Sequence, residues 1–319
     1  MWESRNLSAR LVRLVLAPAS LLYAAGWTAY EAVYRLGFKQ PQEPHRPVVC
    51  IGSLRAGGSG KTPFALYVCR LLAEAGRQVV LSASGYRSPR SNGAAWAPDG
   101  PLVASEWGDE AAMARWLYPN LPLIVGRDRV EAAWVCHAHS PDAVLVLDDG
   151  YQHLPLKKHL SIVLDPRTSN GLCLPAGPFR QPRTRLSTSD LLPDKYEVRK
   201  GQPSLIGPDG NDVVPPPAQV DVLCALGEPE RFVGGLREAG FEVLGQRFLP
   251  DHDPLAAGNL FEGQVADRPL VVTCKDWVKL RERTDLAGRL ILIAKQDVRV
   301  EQEDAFREWL LTRLNDLTS

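Results

Sequence analysis

Apolar and polar positions along this chain sort into one long uncharged stretch followed by short apolar runs spaced by amphipathic ones. Leu14 to Tyr30 (LVLAPASLLYAAGWTAY) is 17 residues without charge, preceded by Arg5, Arg10 and Arg13 and followed by Glu31, Arg35 and Lys39. As a helix it measures about 25 Å, short of the roughly 30 Å hydrocarbon core of a bilayer. Pro18, Gly26 and Thr28 weaken it further as a span. The arginines and Tyr23, Trp27, Tyr30 and Tyr34 suit a bilayer boundary, where cations meet anionic head groups and amphipathic rings settle. The expectation is a helix lying in or dipping into the cytoplasmic leaflet, with a buried helix and a true transmembrane anchor as alternatives.

Past this helix, apolar runs at Val48 to Ile51, Gln78 to Ala83, Leu121 to Val125 and Ala143 to Leu147 predict strands. Helical patterns at Pro63 to Leu72, Glu110 to Leu117 and Arg129 to His137 lie between them. Strands alternating with helices predict an α/β fold with a mostly parallel sheet, whose ligands sit at the strands' carboxyl ends. From Leu160 the texture changes: a short strand at Ser161 to Leu164 gives way to a Pro, Gly, Arg and Thr-rich stretch to Asp194. Gln202 to Pro217 reads as a hairpin or extended connection. A second, smaller α/β unit follows, with strands at Val222 to Leu226, Glu242 to Phe248, Leu270 to Cys274 and Leu290 to Ala294 and helices at Pro229 to Ala239 and Gln302 to Leu317. The predicted division is an interface helix at 1–40, a phosphate-loop domain at 41–160 and a second domain at 161–319, whose final helix can pack back on the first.

The chemistry concentrates where the first strand breaks into glycines. In Val48 to Thr62 (VVCIGSLRAGGSGKT) an apolar run ends in Gly60-Lys61-Thr62 ahead of a helix with Pro63 in its first turn. Backbone N–H groups of Gly57, Gly58, Ser59 and Gly60 are placed to surround phosphate oxygens at a helix N-terminus. Lys61 then reaches the β/γ-phosphates and the Thr62 hydroxyl meets Mg²⁺. The strict phosphate-loop spacing fails because Arg55 stands five before Gly60. A Gly-rich turn that merely starts a helix is the bland alternative.

Composition narrows the partners. With 319 residues, 45% hydrophobic, 23% charged and a formal net charge of +0, the chain has ordinary globular make-up and no global charge to attract a nucleic acid. Its six cysteines are dispersed without a C-x-x-C pair, which fits a reducing compartment and offers no structural zinc site.

Several polar clusters fall at predicted strand ends. Asp148 and Asp149 follow Ala143 to Leu147, where a nucleotidase needs a carboxylate for Mg²⁺. Asp109, in Gly108-Asp109-Glu110, opens a helix; it is a cap or, beside a histidine such as that of Asp251-His252-Asp253, a base for a hydroxyl. Gly126-Arg127-Asp128-Arg129 and Pro178-Phe179-Arg180-Gln181-Pro182-Arg183 look suited to anions because the guanidinium fork binds phosphate bidentately, solvated arginines being the alternative. Val272-Thr273-Cys274-Lys275-Asp276 reads as a strand end with a polar turn.

Taken in order, these segments resemble the tetraacyldisaccharide 4′-kinase family of lipid A biosynthesis. The specific strings are Leu147-Asp148-Asp149-Gly150-Tyr151-Gln152-His153 and Leu174-Pro175-Ala176-Gly177-Pro178, joined by Gly57-Gly58-Ser59-Gly60-Lys61-Thr62-Pro63, Gly85-Tyr86, Gly108-Asp109-Glu110, Pro229-Glu230-Arg231-Phe232 and Asp251-His252. The resemblance implies a P-loop NTPase-like fold and a monomeric, monotopic or peripheral protein on the cytoplasmic face of a bacterial inner membrane, with two α/β domains facing across a cleft. It implies transfer of the ATP γ-phosphoryl group, with Mg²⁺, to the 4′-hydroxyl of tetraacyldisaccharide 1-phosphate, giving lipid IVA. Carried over by motif, Asp109 acts as base with His252, and Lys61 and Thr62 handle phosphate and Mg²⁺. Asp148 and Asp149 serve the metal, and Tyr86, Arg129 and Arg180 serve the lipid substrate.

Three positions depart from the family pattern: Ser84 where Arg is usual, Gln181 where Glu follows the arginine, and Cys274 where Glu precedes Lys-Asp. They keep open a silent glycolipid-binding relative. A membrane-bound switch ATPase is the other alternative, opposed by Ala56 where such proteins usually carry a second loop lysine.

Overall fold

The apolar runs become strands in a computed structural model that describes residues 2, 4, 6–57, 60–164, 168–183, 196–213, 219–256, 258, 260–261, 265, 267–286 and 288–316. The chain opens with helix α1 (Leu7–Arg35), then β1 (Val48–Ser53), α2 (Lys61–Glu74) and β2 (Val79–Ala83). It continues through β3 (Ala95–Trp96), α3 (Ala104–Trp107), α4 (Asp109–Leu117), β4 (Leu123–Val125), α5 (Arg129–His139), β5 (Val144–Asp148) and β6 (Leu160–Leu164). The second half holds β7 (Val198–Ile206), β8 (Gln219–Cys224), α6 (Pro229–Glu238), β9 (Glu242–Phe248), β10 (Leu270–Thr273), α7 (Cys274–Leu280), β11 (Ile291–Val300) and α8 (Glu303–Asn315).

By backbone proximity these elements form two units, Met1–Ser82 with Asp128–Glu197 and Gln302–Ser319, and Ala83–Arg127 with Val198–Glu301. The units interleave along the chain, whereas the sequence reading divides it linearly near residue 160. The crossings near residues 83 and 128 fall between ordinary strands and helices, with no shift in composition to mark them.

In the first unit β2, β5, β1 and β6 are neighbours in that order and all parallel, as alternating strands and helices predict. β1 and β5 are buried at every position, which is why they read as continuous apolar runs rather than alternating ones. The amphipathic α2 buries Phe64 and Tyr67, on which Phe306 of α8 packs at ring distances of 5.9 and 6.1 Å. The last helix thus belongs with the phosphate-loop strands.

α1 is longer than its apolar segment, about 43 Å for 29 residues. Only 6% of its most apolar window is buried, so it is not the buried-helix alternative. Leu7, Leu11, Leu14, Val15, Leu21 and Leu22 are all exposed. One side is nevertheless tied down: Ser20 Oγ accepts from Ala176 N–H at 2.8 Å, and the Tyr23 hydroxyl donates to the Arg180 carbonyl at 2.9 Å.

In the second unit the five-stranded order is β7-β11-β10-β8-β9, parallel except for β7. Val220, Val222, Leu236, Val271 and Leu292 form its buried core. β7 supplies the first arm of the predicted hairpin, whose turn is closed by Gly207 N–H to the Asn211 carbonyl at 2.8 Å and Val213 N–H to the Leu205 carbonyl at 3.0 Å, and Pro203 is tolerated because this is an edge strand. β11 runs past Ala294 through Lys295, Gln296 and Asp297, whose polarity ends the predicted strand early. The predicted polar turn at Cys274 to Asp276 is instead the start of α7, because the Thr273 hydroxyl accepts from Asp276 N–H at 3.1 Å and caps a helix.

Candidate active site

The glycine-rich bend lies between β1 and α2, as its sequence predicts. Gly60 takes φ +79°, a left-handed conformation that costs a side-chain-bearing residue far more than glycine, and Lys61 opens α2 directly after it. Thr62 and Pro63 fill the first turn. Gly57 is exposed with φ +96°, while Gly58 and Ser59 lie outside the described residues. Lys61 Nζ stands 3.6 Å from Asp149 Oδ2, so the loop cation and the acidic strand end belong to one constellation.

β5 delivers its two aspartates differently. Asp148 is still in the strand and 2% exposed, whereas Asp149 takes φ +58° and turns out of the strand. This separates two carboxylates that an extended backbone would send to opposite faces. Arg180 Nη1 meets both Asp149 oxygens at 2.8 Å. The loop after them is held by Lys158, whose ammonium donates to the carbonyls of Tyr151 at 3.1 Å and His153 at 2.8 Å. Tyr151 packs so closely on β1 that a Cβ at Gly52 would fall 2.4 Å from the Tyr151 Cβ. That is why the strand ends in Gly-Ser.

Oxygen donors from Thr62, Asp148 and Asp149 suit a hard cation. No group of three or more His, Cys, Asp or Glu that would hold a metal by itself is found among the described residues. Such a sparse set fits Mg²⁺, which dehydrates reluctantly and is commonly bound by one or two carboxylates together with substrate phosphates.

Arg129 requires a correction. It is 2% exposed, and its guanidinium donates to Ser82 Oγ at 2.8 Å and to the Asp148 carbonyl at 2.5 Å. A group so enclosed braces the acidic strand end from inside and does not offer itself to a lipid. Arg180, predicted for the substrate, is engaged with Asp149 through its side chain and with Tyr23 through its carbonyl. Its neighbour Gln181 is buried, accepts from Gln152 Nε2 at 3.1 Å and donates to Glu31 Oε1 at 3.5 Å. Glu31 also accepts from Trp27 Nε1 at 2.8 Å, so the departure at 181 is absorbed into a hydrogen-bonded chain reaching α1.

The second unit holds the other half of the predicted chemistry. Asp109 and His252, 143 residues apart, meet with His252 Nδ1 2.9 Å from Asp109 Oδ2. Asp109 is the first residue of α4 and makes no capping bond to its own helix, so the bland reading as a cap does not hold. Burial pushes its carboxyl up, but the His252 hydrogen bond and the Lys275 and Lys279 ammonium groups outweigh this and bring it to about 2. The His252 imidazole is raised, chiefly by the hydrogen bond it donates to the Asp109 carboxylate, against the opposing effect of burial. His252 itself takes φ +60°, and its ring lies 4.9 Å from that of Tyr86. Lys275 is oriented by Glu110 at 2.8 Å, and Lys279 by the Asp253 carbonyl at 2.8 Å.

Lys158, Lys279 and Glu31 are the residues that sequence reasoning passes over. Lys279 carried a usable signal, since Thr273-x-x-Asp276 is a capping pattern that sets Lys279 one turn after Asp276. Lys158 and Glu31 act on backbone carbonyls and a distant amide, which leave no motif.

The chain matches the family model described as tetraacyldisaccharide-1-P 4′-kinase over residues 12–315. It is 31% identical over 291 residues to the tetraacyldisaccharide 4′-kinase of Shewanella sediminis, covering 86% of this chain and 84% of that one. It is 33% identical over 330 residues to the enzyme of the same name from Alkalilimnicola ehrlichii, covering 95% and 94%. Its fold is similar to the crystal structure of LpxK from Aquifex aeolicus in complex with ATP, with a TM-score of 0.79, 23% identity and coverage of 95% and 99%. With the matched span taking in the glycine bend, the paired aspartates and the Asp109–His252 contact, the chain belongs to the tetraacyldisaccharide 4′-kinase family.

Proposed function

We propose that this protein is an ATP-dependent kinase that phosphorylates the 4′-hydroxyl of tetraacyldisaccharide 1-phosphate in lipid A biosynthesis. The observation that carries the reading is the 2.9 Å contact between Asp109 and His252 in a chain of this family. Phosphoryl transfer asks little covalent chemistry of a protein; it asks for positioning, charge stabilisation and a group to receive the hydroxyl proton. Asp109, ionised at neutral pH, accepts that proton through the oxygen not bonded to His252, and the imidazole fixes the orientation of the carboxylate.

On the nucleotide side the Gly57 to Gly60 bend receives the phosphates and Lys61 stabilises charge on the transferred group. Asp149, turned out of β5, Asp148 and Thr62 would hold Mg²⁺, and the ion would neutralise charge on the β- and γ-phosphates. Arg129, donating to the Asp148 carbonyl, braces that strand end from the interior.

We further propose that α1 sits at the cytoplasmic surface of the inner membrane and that the enzyme works there as a monomer. Support comes from the exposed leucines and valines on the helix and from the acylated character of the acceptor. The test is direct: purified protein in detergent micelles, γ-labelled ATP and the disaccharide monophosphate should yield a labelled bisphosphorylated lipid. Hydrolysis of ATP with no label in the lipid contradicts the reading.

A further inference from the structure

Two guanidinium groups beside the dyad have no part in the scheme above. Gly85 to Ser88 is a reverse turn closed by a 2.8 Å bond from Ser88 N–H to the Gly85 carbonyl, and it displays Tyr86, 44% exposed, and the exposed Arg87. Arg87 holds φ +61°, a left-handed conformation that turns of this kind ordinarily reserve for Gly or Asn. Its Nη1 donates to the His252 carbonyl at 3.1 Å, and its guanidinium carbon lies 5.7 Å from the Tyr86 ring centroid. Arg127, anchored by its backbone N–H to the Ser91 carbonyl at 3.1 Å, brings a second guanidinium to 5.8 Å from the same ring.

Neither arginine forms an ion pair among the described residues, and the carboxylates around the dyad are otherwise engaged: Asp109 with His252 and Glu110 with Lys275. Asp251 approaches His252 Nε2 at 3.9 Å. Two unneutralised cations gathered on one exposed ring repel each other, and a disfavoured backbone conformation is retained at one of them. A ligand anion relieves the first cost, and planar guanidinium forks suit a phosphate monoester, with the aromatic face left for an apolar sugar surface.

Resting on the kinase reading, we infer that Arg87 and Arg127 form, around Tyr86, a binding site for the phosphate monoester of the acceptor. This moves the anion-binding role of Gly126 to Arg129 from the buried Arg129 to the exposed Arg127. It also supplies cations to a chain that has Ser84 where the family pattern has Arg.

The experiment compares two acceptors in detergent micelles, tetraacyldisaccharide 1-phosphate and the same lipid without its phosphate, using the full chain and its Arg87→Gly and Arg127→Gln variants. Arg87→Gly relieves the left-handed strain, so an undiminished melting temperature establishes that the fold is kept. The wild type should prefer the phosphorylated acceptor in kcat/KM, and each variant should lose about tenfold of that preference, mainly through acceptor KM. The inference is overturned if both acceptors lose activity equally, if the loss appears in the KM for ATP, or if the preference is unchanged. A wild type that phosphorylates neither acceptor overturns the kinase reading itself, and this inference with it.

Discussion

His252 Nδ1 lies 2.9 Å from Asp109 Oδ2, a contact made across 143 residues of sequence between a helix start and a loop residue in left-handed conformation. Both groups titrate in opposite directions from their ordinary values because of it. The Asp109 carboxyl, at about 2, is below its ordinary 3.8, so its contribution to stability is present above pH 3.8 and lost as pH falls towards 2. The His252 imidazole is raised above 6.5, so its contribution is full below pH 6.5 and fades as pH rises through the raised value. His252→Gln should therefore raise the Asp109 pKa, since burial then acts with less opposition. Carboxyl carbon NMR of labelled aspartate reads this shift; an unmoved Asp109 titration would mean that the contact carries no electrostatic weight.

Lys61→Ala should lower turnover by roughly a hundredfold or more, the usual cost of removing a preorganised charged donor from a transition state. Calorimetric titration with ATP should show a smaller change, because the backbone N–H groups of the bend remain. A variant that turns over normally would remove Lys61 from the catalytic set.

Arg129→Met should behave as a stability variant and not as a substrate-binding one. It deletes the hydrogen bonds that a buried cation donates to the Ser82 hydroxyl and the Asp148 carbonyl, for a loss of about 2–4 kcal/mol in denaturant unfolding. A well-folded variant with weakened acceptor binding would restore the role that the family resemblance assigns to this residue.

Much of this was legible in sequence, and the rest failed for identifiable reasons. β1, β5 and α2 are read correctly because they are buried throughout or strongly apolar on one face, and the Gly60-Lys61-Thr62 bend because its left-handed geometry favours glycine. The start of β7 and the outer half of β11 are missed because Val198 to Gly201 and Lys295 to Arg299 are largely polar and lack the apolar run that would reveal them. α7 is missed because its start reads as a polar turn unless Thr273 is recognised as a cap. At the site, the residues that motif order names, Asp109 and His252, lie 2.9 Å apart, while Arg129, named for the lipid, is buried, because no pattern distinguishes a buried arginine from an exposed one two residues before it.

Gln181→Glu should destabilise the protein by about 1–3 kcal/mol, since it brings a second carboxylate against Glu31 at a position only 2% exposed. Adding Glu31→Gln should recover most of the loss by exchanging donor and acceptor across the pair. Thermal melts of the two single variants and the double variant test this, and additive losses would show that the contact is not coupled.

Leu14→Asp together with Leu22→Asp on the exposed side of α1 should abolish flotation with phospholipid vesicles while leaving ATP binding in place. Alkaline carbonate should extract the wild type from membranes if α1 is interfacial, and should leave it behind if the helix spans.

The central claim is that Asp109 receives the proton of an acceptor hydroxyl as the γ-phosphoryl group arrives. The most direct measurement follows ATP labelled with ¹⁸O in the γ-phosphate by mass spectrometry of the lipid, for the wild type and for Asp109→Asn at saturating ATP. The account predicts label in a second lipid phosphate for the wild type and a rate lower by about a hundredfold or more for the variant, with ATP affinity kept. Label confined to inorganic phosphate, or a variant as fast as the wild type, would contradict it.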